Sequence, residues 1–177
     1  MRKLSDKELK RLKFAKESIQ SISPDAIDID IQSNIDGQSI ISTSGFGYAR
    51  DIDGTLVKVN HSGKIIIEKD VVIRAFVTID RAVIGATIIR EGSKIDHHCH
   101  IAHGAKIGKW NTLANGCIIE GSCEIGDYNT FGAGVIVQRK VKIGSNCIFG
   151  SGSVVTKDVA DNSVMVGNPA RLLRTNE

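Results

Sequence analysis

The chain has 177 residues, 41% of them hydrophobic, and a formal net charge of +3. That length suits one domain with a sizeable core. The small charge, with no basic run interleaved with aromatics, gives no footing for nucleic-acid binding, and no apolar stretch approaches the roughly 20 residues of a membrane-spanning helix. Aromatics make up only 5%, Pro occurs twice and Gly 18 times, a balance that fits many short turns between aliphatic strands.

Residues 1–20 read as a helix. Ser5 and Glu8 have the spacing of a capping box. Leu9, Leu12, Ala15 and Ile19 fall at helical spacing, with Lys7, Lys10, Arg11 and Lys13 around them. The expected element is a short basic amphipathic helix that caps the following structure or meets a partner subunit. The opening MRKLSDKELKRLKF is too charged for a signal peptide. We therefore expect a cytoplasmic protein, whose four cysteines are thiols rather than disulfides.

From residue 21 to about 160 a six-residue step takes over. Ile29, Ile35 and Ile41 form one set, and Ile67, Ile73 and Ile79 form another in a different phase. Between them, residues 44–63 contain GFGYARDIDGTLVKVNHSG and read as a loop thrown out from the regular structure. Loops of this length in compact proteins usually serve function or are disordered. The phase changes again between Ile79 and Val83. From Val83 the step is strict, through Ile89, Ile95, Ile101, Ile107, Leu113, Ile119, Ile125, Phe131, Val137, Ile143, Phe149 and Val155.

Neither a helical period of 3.6 nor a plain alternation of two produces a strict six. A coil with three short sides does, each side supplying one inward aliphatic before a turn. Fixed-period repetition of this kind marks a solenoid, so the expected fold is an all-β parallel β-helix. Three sides make a coil of about 18 residues, and side chains 18 apart stack at roughly 4.8 Å, the inter-strand spacing. Three ladders follow: Ile95, Leu113, Phe131, Phe149; Ile101, Ile119, Val137, Val155; and Ile89, Ile107, Ile125, Ile143. Gly recurs directly after the step residue at Gly108, Gly126, Gly132, Gly144 and Gly150, where we expect it to supply backbone conformations needed at a corner. Cys99, Cys117, Cys123 and Cys147 all lie two before a step residue, in a slot shared with Ala105, Val135, Val141 and Ser153. The slot calls for a small buried side chain, which a free Cys provides. The tail, residues 161–177, has a Gly167-Asn168-Pro169 turn and ends basic.

Four of the five histidines crowd into residues 97–103, HHCHIAH. A reaction in which an amine or hydroxyl attacks needs a base to take the proton of the nucleophile, and histidine suits that work near neutral pH. His103 lies two after Ile101, at a corner rather than inward, so it is the candidate base. Gly121 is 18 further on, on the same corner, where its backbone N–H could hold a developing oxyanion. Phe46 and Tyr48 in the loop are candidates to stack on a nucleotide base or to pack on a neighbouring subunit. Asp80 and Arg81 read as an internal or interface ion pair. Lys140, Lys157, Arg171 and Arg174 are candidates to meet the phosphates of a ligand, or form a solvated basic end.

Three segments carry a resemblance. Gly45-Phe46-Gly47-Tyr48-Ala49, Thr78-Ile79-Asp80-Arg81, and Ile95-Asp96 through Cys99 to Ile101-Ala102-His103 resemble the N-acyltransferases of lipid A biosynthesis that acylate UDP-3-O-acyl-glucosamine. That resemblance implies a left-handed parallel β-helix, an exception to the usual crossover hand, and a homotrimer. It also implies catalytic roles for His103 and Gly121, with Asp96 and His97 beside Phe46 and Tyr48 in substrate binding. This chain departs from the pattern in two places: only the short helix stands where the family has a substantial uridine-binding domain, and Lys140 stands at the position of a second pocket histidine. The ending, Val154-Val155-Thr156-Lys157-Asp158-Val159 with Val166-Gly167-Asn168-Pro169-Ala170-Arg171, is similar instead to acetyl-CoA-dependent hexapeptide transferases. The expected activity is transfer of an acyl group, acetyl from acetyl-CoA, to the amine of a nucleotide-linked amino sugar, with an acyl carrier protein thioester as the alternative donor and no metal.

Two other functions compete. A zinc enzyme of the γ-carbonic anhydrase type would use His98 and His103, five apart, with His61 as a third ligand pooled at a trimer interface; such a site needs three protein ligands and an open position. A non-catalytic β-helical scaffold would use none of these residues.

Overall fold

The computed structural model describes residues 27–177 together with Ser5 and Asp6, so the helix expected over residues 1–20 lies outside the described residues. The six-residue step is realised as a coil with three flat walls. The first wall stacks Ile27–Ile29, Lys64–Ile67, Ala86–Ile89, Lys106–Ile107, Glu124–Ile125 and Lys142–Ile143. The second stacks Asn34–Ile35, Val72–Ile73, Lys94–Ile95, Thr112–Leu113, Thr130–Phe131, Ile148–Phe149 and Ser163–Val166, then turns back through Arg171–Thr175. The third stacks Ile40–Ser44, Thr78–Arg81, His100–Ile101, Ile118–Ile119, Ile136–Val137 and Val154–Val155. Within each wall the pairing is parallel, except that Arg171–Thr175 runs antiparallel to Ser163–Val166.

Register follows the ruler of 18. Ile95 pairs with Leu113, Leu113 with Phe131, and Phe131 with Phe149. The other two ladders pair in the same way. These side chains fill the axis of the coil and are buried, each contributing on the order of 1.5–3 kcal/mol by leaving water. Phe131 and Phe149 stack with centroids 4.7 Å apart and planes 8° from parallel.

The small slot is buried too. All four cysteines are free thiols inside the core, and Cys99, Cys117, Cys123 and Cys147 each donate to a backbone carbonyl, of Ala114, Gly132, Gln138 and Ala160 respectively. Burial pushes the Cys123 thiol up to about 11 and raises Cys147, which keeps both un-ionised and inert. On the second wall the same slot is polar. Asn111 N–H donates to Ser93 Oγ, Asn129 N–H to Asn111 Oδ1, and Cys147 N–H to Asn129 Oδ1. The Asn111 and Asn129 amides donate in turn to the Gly126 and Gly144 carbonyls. Buried amides arranged this way satisfy turn backbone that would otherwise be orphaned.

Two expectations need correction. The glycines after the step residue do not supply left-handed backbone. That conformation falls elsewhere in the turns, at Gly92, Gly104, Gly116 and Gly134, and at Trp110, Tyr128 and Lys140 with φ of 55°, 59° and 65°. Gly108 is required by close approach instead, since a Cβ there would lie 2.4 Å from the Gly126 carbonyl oxygen one coil on. Val83 is the second correction. It is not a rung of the core; Ile79 fills that place, pairing with Ile41 and Ile101, and Val83 packs outside against Ala49 and Val59.

The register locates both breaks. Ile27 pairs with Ile65, 38 residues on, where a regular coil advances 18; the surplus of 20 is the excursion over residues 45–63 together with a one-residue bulge between Ile41 and Thr43, since Ser44 still pairs with Arg81. Val72 pairs with Lys94, 22 residues on, and the surplus of four is residues 82–85. Among the described residues no helix is long and apolar enough to cross a membrane.

Candidate active site

The corner that follows the third wall carries a column at the 18-residue interval: His103, Gly121, Arg139 and Lys157. Successive members sit one coil apart, about 4.8 Å. His103 lies directly against Gly121. A Cβ on Gly121 would fall 2.7 Å from both Cε1 and Nε2 of the imidazole, so only glycine allows this approach. The Gly121 carbonyl accepts from Lys140 N–H at 3.0 Å, leaving the Gly121 N–H as the available backbone group.

A cavity of about 340 Å³ opens here, lined by Phe46, Asp80, His100, His103, Gly121 and Arg139, with Ala102 and Glu120. Asp80 is buried and accepts from the Thr43 hydroxyl. Its other carboxylate oxygen stands 3.7 Å from His100 Nε2. The Asp80–Arg81 ion pair expected from the sequence is not formed; along a strand neighbouring side chains point apart, and Asp80 turns to Thr43 and His100. Arg81 is 4% exposed, and its Nε has no partner among the described residues. Thr87, from the next coil, ties the region together, donating to the Asp80 carbonyl and accepting from Gly104 N–H.

The excursion closes over one side. Tyr48–Arg50 and Leu56–Lys58 form an antiparallel hairpin, and Val59 N–H donates to the Gly47 carbonyl. The chain returns to the coil through His61, which is fully buried. Its Nδ1 lies 2.9 Å from the Val59 carbonyl oxygen, which can only accept, so Nδ1 carries the proton. The ring meets His103 edge to face, with centroids 5.1 Å apart. Burial, reinforced by His103, pushes the His61 pKa below 6.5, against the opposing pull of the Val59 carbonyl and Asp80.

Further along the column, Lys157 and Arg171 meet in a second cavity of about 260 Å³, whereas the Arg174 guanidinium turns to the Thr175 carbonyl. Phe46 is exposed at the rim of the first cavity, with Tyr48 against its edge at 5.1 Å. Asp96 and His97 are not part of this constellation. The His97 backbone and ring N–H groups both donate to the Asp96 carboxylate and hold its pKa down, and Asp96 lines an apolar groove on the second wall. Lys140 contributes its backbone to Gly121 while its neighbour Arg139 lines the cavity. Within the single chain, His98 stacks flat on Phe76 at 5.1 Å, and no three His, Cys, Asp or Glu residues gather as metal ligands among the described residues.

Sequence reasoning passed over Arg139 and Glu120, although the ruler of 18 places Arg139 directly after Gly121. It brought His61 and His103 together only as zinc ligands and not as packed rings, for which no spacing rule gives a signal across a loop.

Comparison with known proteins bears on the repeats and the fold. Residues 86–121 and 122–157 match the bacterial transferase hexapeptide (six repeats) family. A UDP-3-O-acylglucosamine N-acyltransferase of Helicobacter hepaticus is 46% identical over 77 residues, which are 44% of this chain and 24% of that protein. A second, from Legionella pneumophila, is 48% identical over 75 residues, 42% of this chain and 21% of the relative. The match thus spans about a quarter of the length of these curated relatives. Among solved structures, the UDP-N-acetylglucosamine acyltransferase of Francisella novicida superposes with a TM-score of 0.66 at 16% identity, covering 85% of this chain and 69% of the other. That of Campylobacter jejuni gives 0.61 at 20% identity, covering 88% and 75%. These likenesses establish the fold as the left-handed parallel β-helix. Residues 86–157 of this chain thus match the bacterial transferase hexapeptide repeats, in a chain wound as that β-helix and similar in part to the UDP-3-O-acylglucosamine N-acyltransferases.

Proposed function

We propose that the chain is an acyltransferase that moves an acyl group, acetyl from acetyl-CoA, to the amine of a nucleotide-linked amino sugar. The observation that carries this reading is the His103 imidazole lying against the Gly121 backbone within a polar cavity. His103 takes a proton from the amine as its nitrogen attacks the thioester carbonyl carbon. The Gly121 N–H donates to the carbonyl oxygen as it becomes an oxyanion. Collapse of the tetrahedral intermediate breaks the C–S bond, and the departing thiolate takes the proton from the imidazolium, leaving an amide and free thiol.

The similarity to N-acyltransferases of a nucleotide amino sugar supports the acceptor class. The exposure of Phe46 at the rim of the cavity supports a role in stacking on the nucleotide base. The cavity shared by Lys157 and Arg171 suits coenzyme A phosphates and lies further along the corner of the base. An acyl carrier protein thioester is the alternative donor. The outward row Ile118, Ile136 and Val154, half-buried beside the cavity, supports self-association as a homotrimer. A cytoplasmic location belongs to the same proposal.

A thiol-release assay with acetyl-CoA across a panel of nucleotide amino sugars tests the reading. Turnover by the wild type that is lost in His103→Ala is the expected result. Turnover only with an acyl carrier protein donor would replace the donor assignment. Equal rates for wild type and His103→Ala would remove the base.

A further inference from the structure

The excursion delivers a second histidine to the corner, and the proposed reaction does not use it. His61 is fully buried, and its Nε2 has no partner among the described residues. With the proton on Nδ1, that nitrogen carries a bare lone pair sealed from water. Buried acceptors without partners are rare and cluster where a structure does something beyond holding itself together. The surroundings are equally specific. Gly45 and Gly47 press on the ring through bare backbone; a Cβ on Gly45 would lie 2.8 Å from His61 Nε2, and one on Gly47 would lie 3.0 Å from Cε1. The ring also meets His103 edge to face. The imidazole is thus gripped between the loop and the base, and the Val59 carbonyl fixes its rotation.

We propose that His61 is a positioning residue for His103: its tethered ring buttresses the His103 imidazole against Gly121 and couples the loop that carries Phe46 to the base. Phe46 sits between the two glycines that grip His61 and lines the cavity. A ligand that settles on Phe46 therefore bears on His61, and through it on the base. Small misplacements of a catalytic group far from the bond being made reduce turnover steeply. This makes the loop part of the catalytic machinery and not solely a recognition element, and it rests on the proposed function only in taking His103 as the base.

The test compares His61→Gln, His61→Ala and Gly47→Ala with the wild type. The glutamine amide can keep a bond to Val59, alanine removes both ring and tether, and Gly47→Ala pushes on His61 without changing it. Steady-state kinetics should show kcat falling on the order of tenfold to a hundredfold in His61→Ala, with KM within about twofold and partial recovery in His61→Gln. Imidazole NMR gives a readout independent of turnover: the His103 ring signals should move in all three variants while those of His97 do not. Thermal melting identifies any variant that fails to fold, and Gly47→Ala then decides. Unchanged His103 signals in folded variants would overturn the proposal. A wild type inactive with every donor would remove the acyltransferase reading alone, because the NMR comparison still decides the role of His61.

Discussion

The coils over residues 86–157 and the interrupted stretch over residues 44–85 are built from the same rungs, yet they do different work. In the regular coils every rung advances by 18 and each side chain meets its equivalent one strand away. Outward positions there repeat as simply as inward ones: Lys106, Glu124 and Lys142 form a ladder of alternating charge on the first wall. Such surface pairs are worth little to stability. In the interrupted stretch the surplus of 20 residues and the surplus of four bring unlike groups together: His61 against His103, Val83 against Val59, Asp80 against Thr43 and His100. Repetition stacks like on like and so builds a core. An active site needs unlike groups in contact, and here the breaks in the repeat provide them.

If that division holds, the largest stability effects belong to the regular coils. Phe131→Ala removes a ring that is 1% exposed and stacked on Phe149, and should cost about 3–5 kcal/mol, read from urea or thermal unfolding. His103→Ala, at a half-buried corner, should leave the melting temperature within a few degrees while lowering turnover about 10²–10⁴-fold, the contribution of a general base. A large loss of stability in His103→Ala would mean that the corner is structural and would blur the two regions into one.

Gly121→Ala sharpens the comparison, because Gly121 lies in a regular coil yet serves the site. Its added Cβ meets the His103 ring at 2.7 Å, so the imidazole must move. Turnover should fall about tenfold to a hundredfold with melting little changed, and a crystal structure should show His103 displaced. Next comes Asn129→Ala, which strips a partner from Cys147 N–H and from the Gly144 carbonyl. Orphaning buried backbone in this way should cost about 1–3 kcal/mol with no effect on turnover.

The same division explains what was legible beforehand. A rung is legible because each inward aliphatic pairs with its equivalent three hexapeptides away, so one period predicts all three ladders and puts His103 and Gly121 on one corner. The cysteine slot is legible for the same reason, since a position two before each rung repeats with it. The reason for Gly108 was not, because its crowding comes from the Gly126 carbonyl of the next coil and not from its own dihedrals. The Ser93–Asn111–Asn129 ladder has the right period but polar side chains, and period alone does not say that a polar residue points inward. Across residues 44–63 the ruler stops. Val83 fits the later phase by number, yet the four residues inserted at 82–85 move it off the axis. Lys140 was singled out by resemblance, whereas the 18-residue interval from Gly121 leads to Arg139, which lines the cavity. The excursion's partners depend on how a hairpin folds back, and no local spacing encodes that.

The smallest expected effect isolates the interrupted stretch by pH. His61 is buried and held below its ordinary pKa of 6.5. In the unfolded chain it titrates at that ordinary value, so as pH falls through 6.5 the unfolded state binds a proton that the folded state refuses. Stability should therefore fall with pH in this window, by up to about 1.4 kcal/mol per pH unit until the folded form also protonates. The charged and titratable groups acting on the ring are His103 and Lys58, which disfavour its proton, and Asp80, which favours it. The carboxylates that hydrogen bonds hold below their ordinary values, Asp53, Glu91 and Asp96, act in a more acid range. Urea unfolding at about pH 8 and about pH 5.5 should show this loss in the wild type and a smaller loss in His61→Gln, which has no group to protonate. Equal losses in both proteins would place the acid sensitivity outside the loop. A loss confined to the wild type would show that the excursion, and not the regular coil, sets the stability of the fold in mild acid.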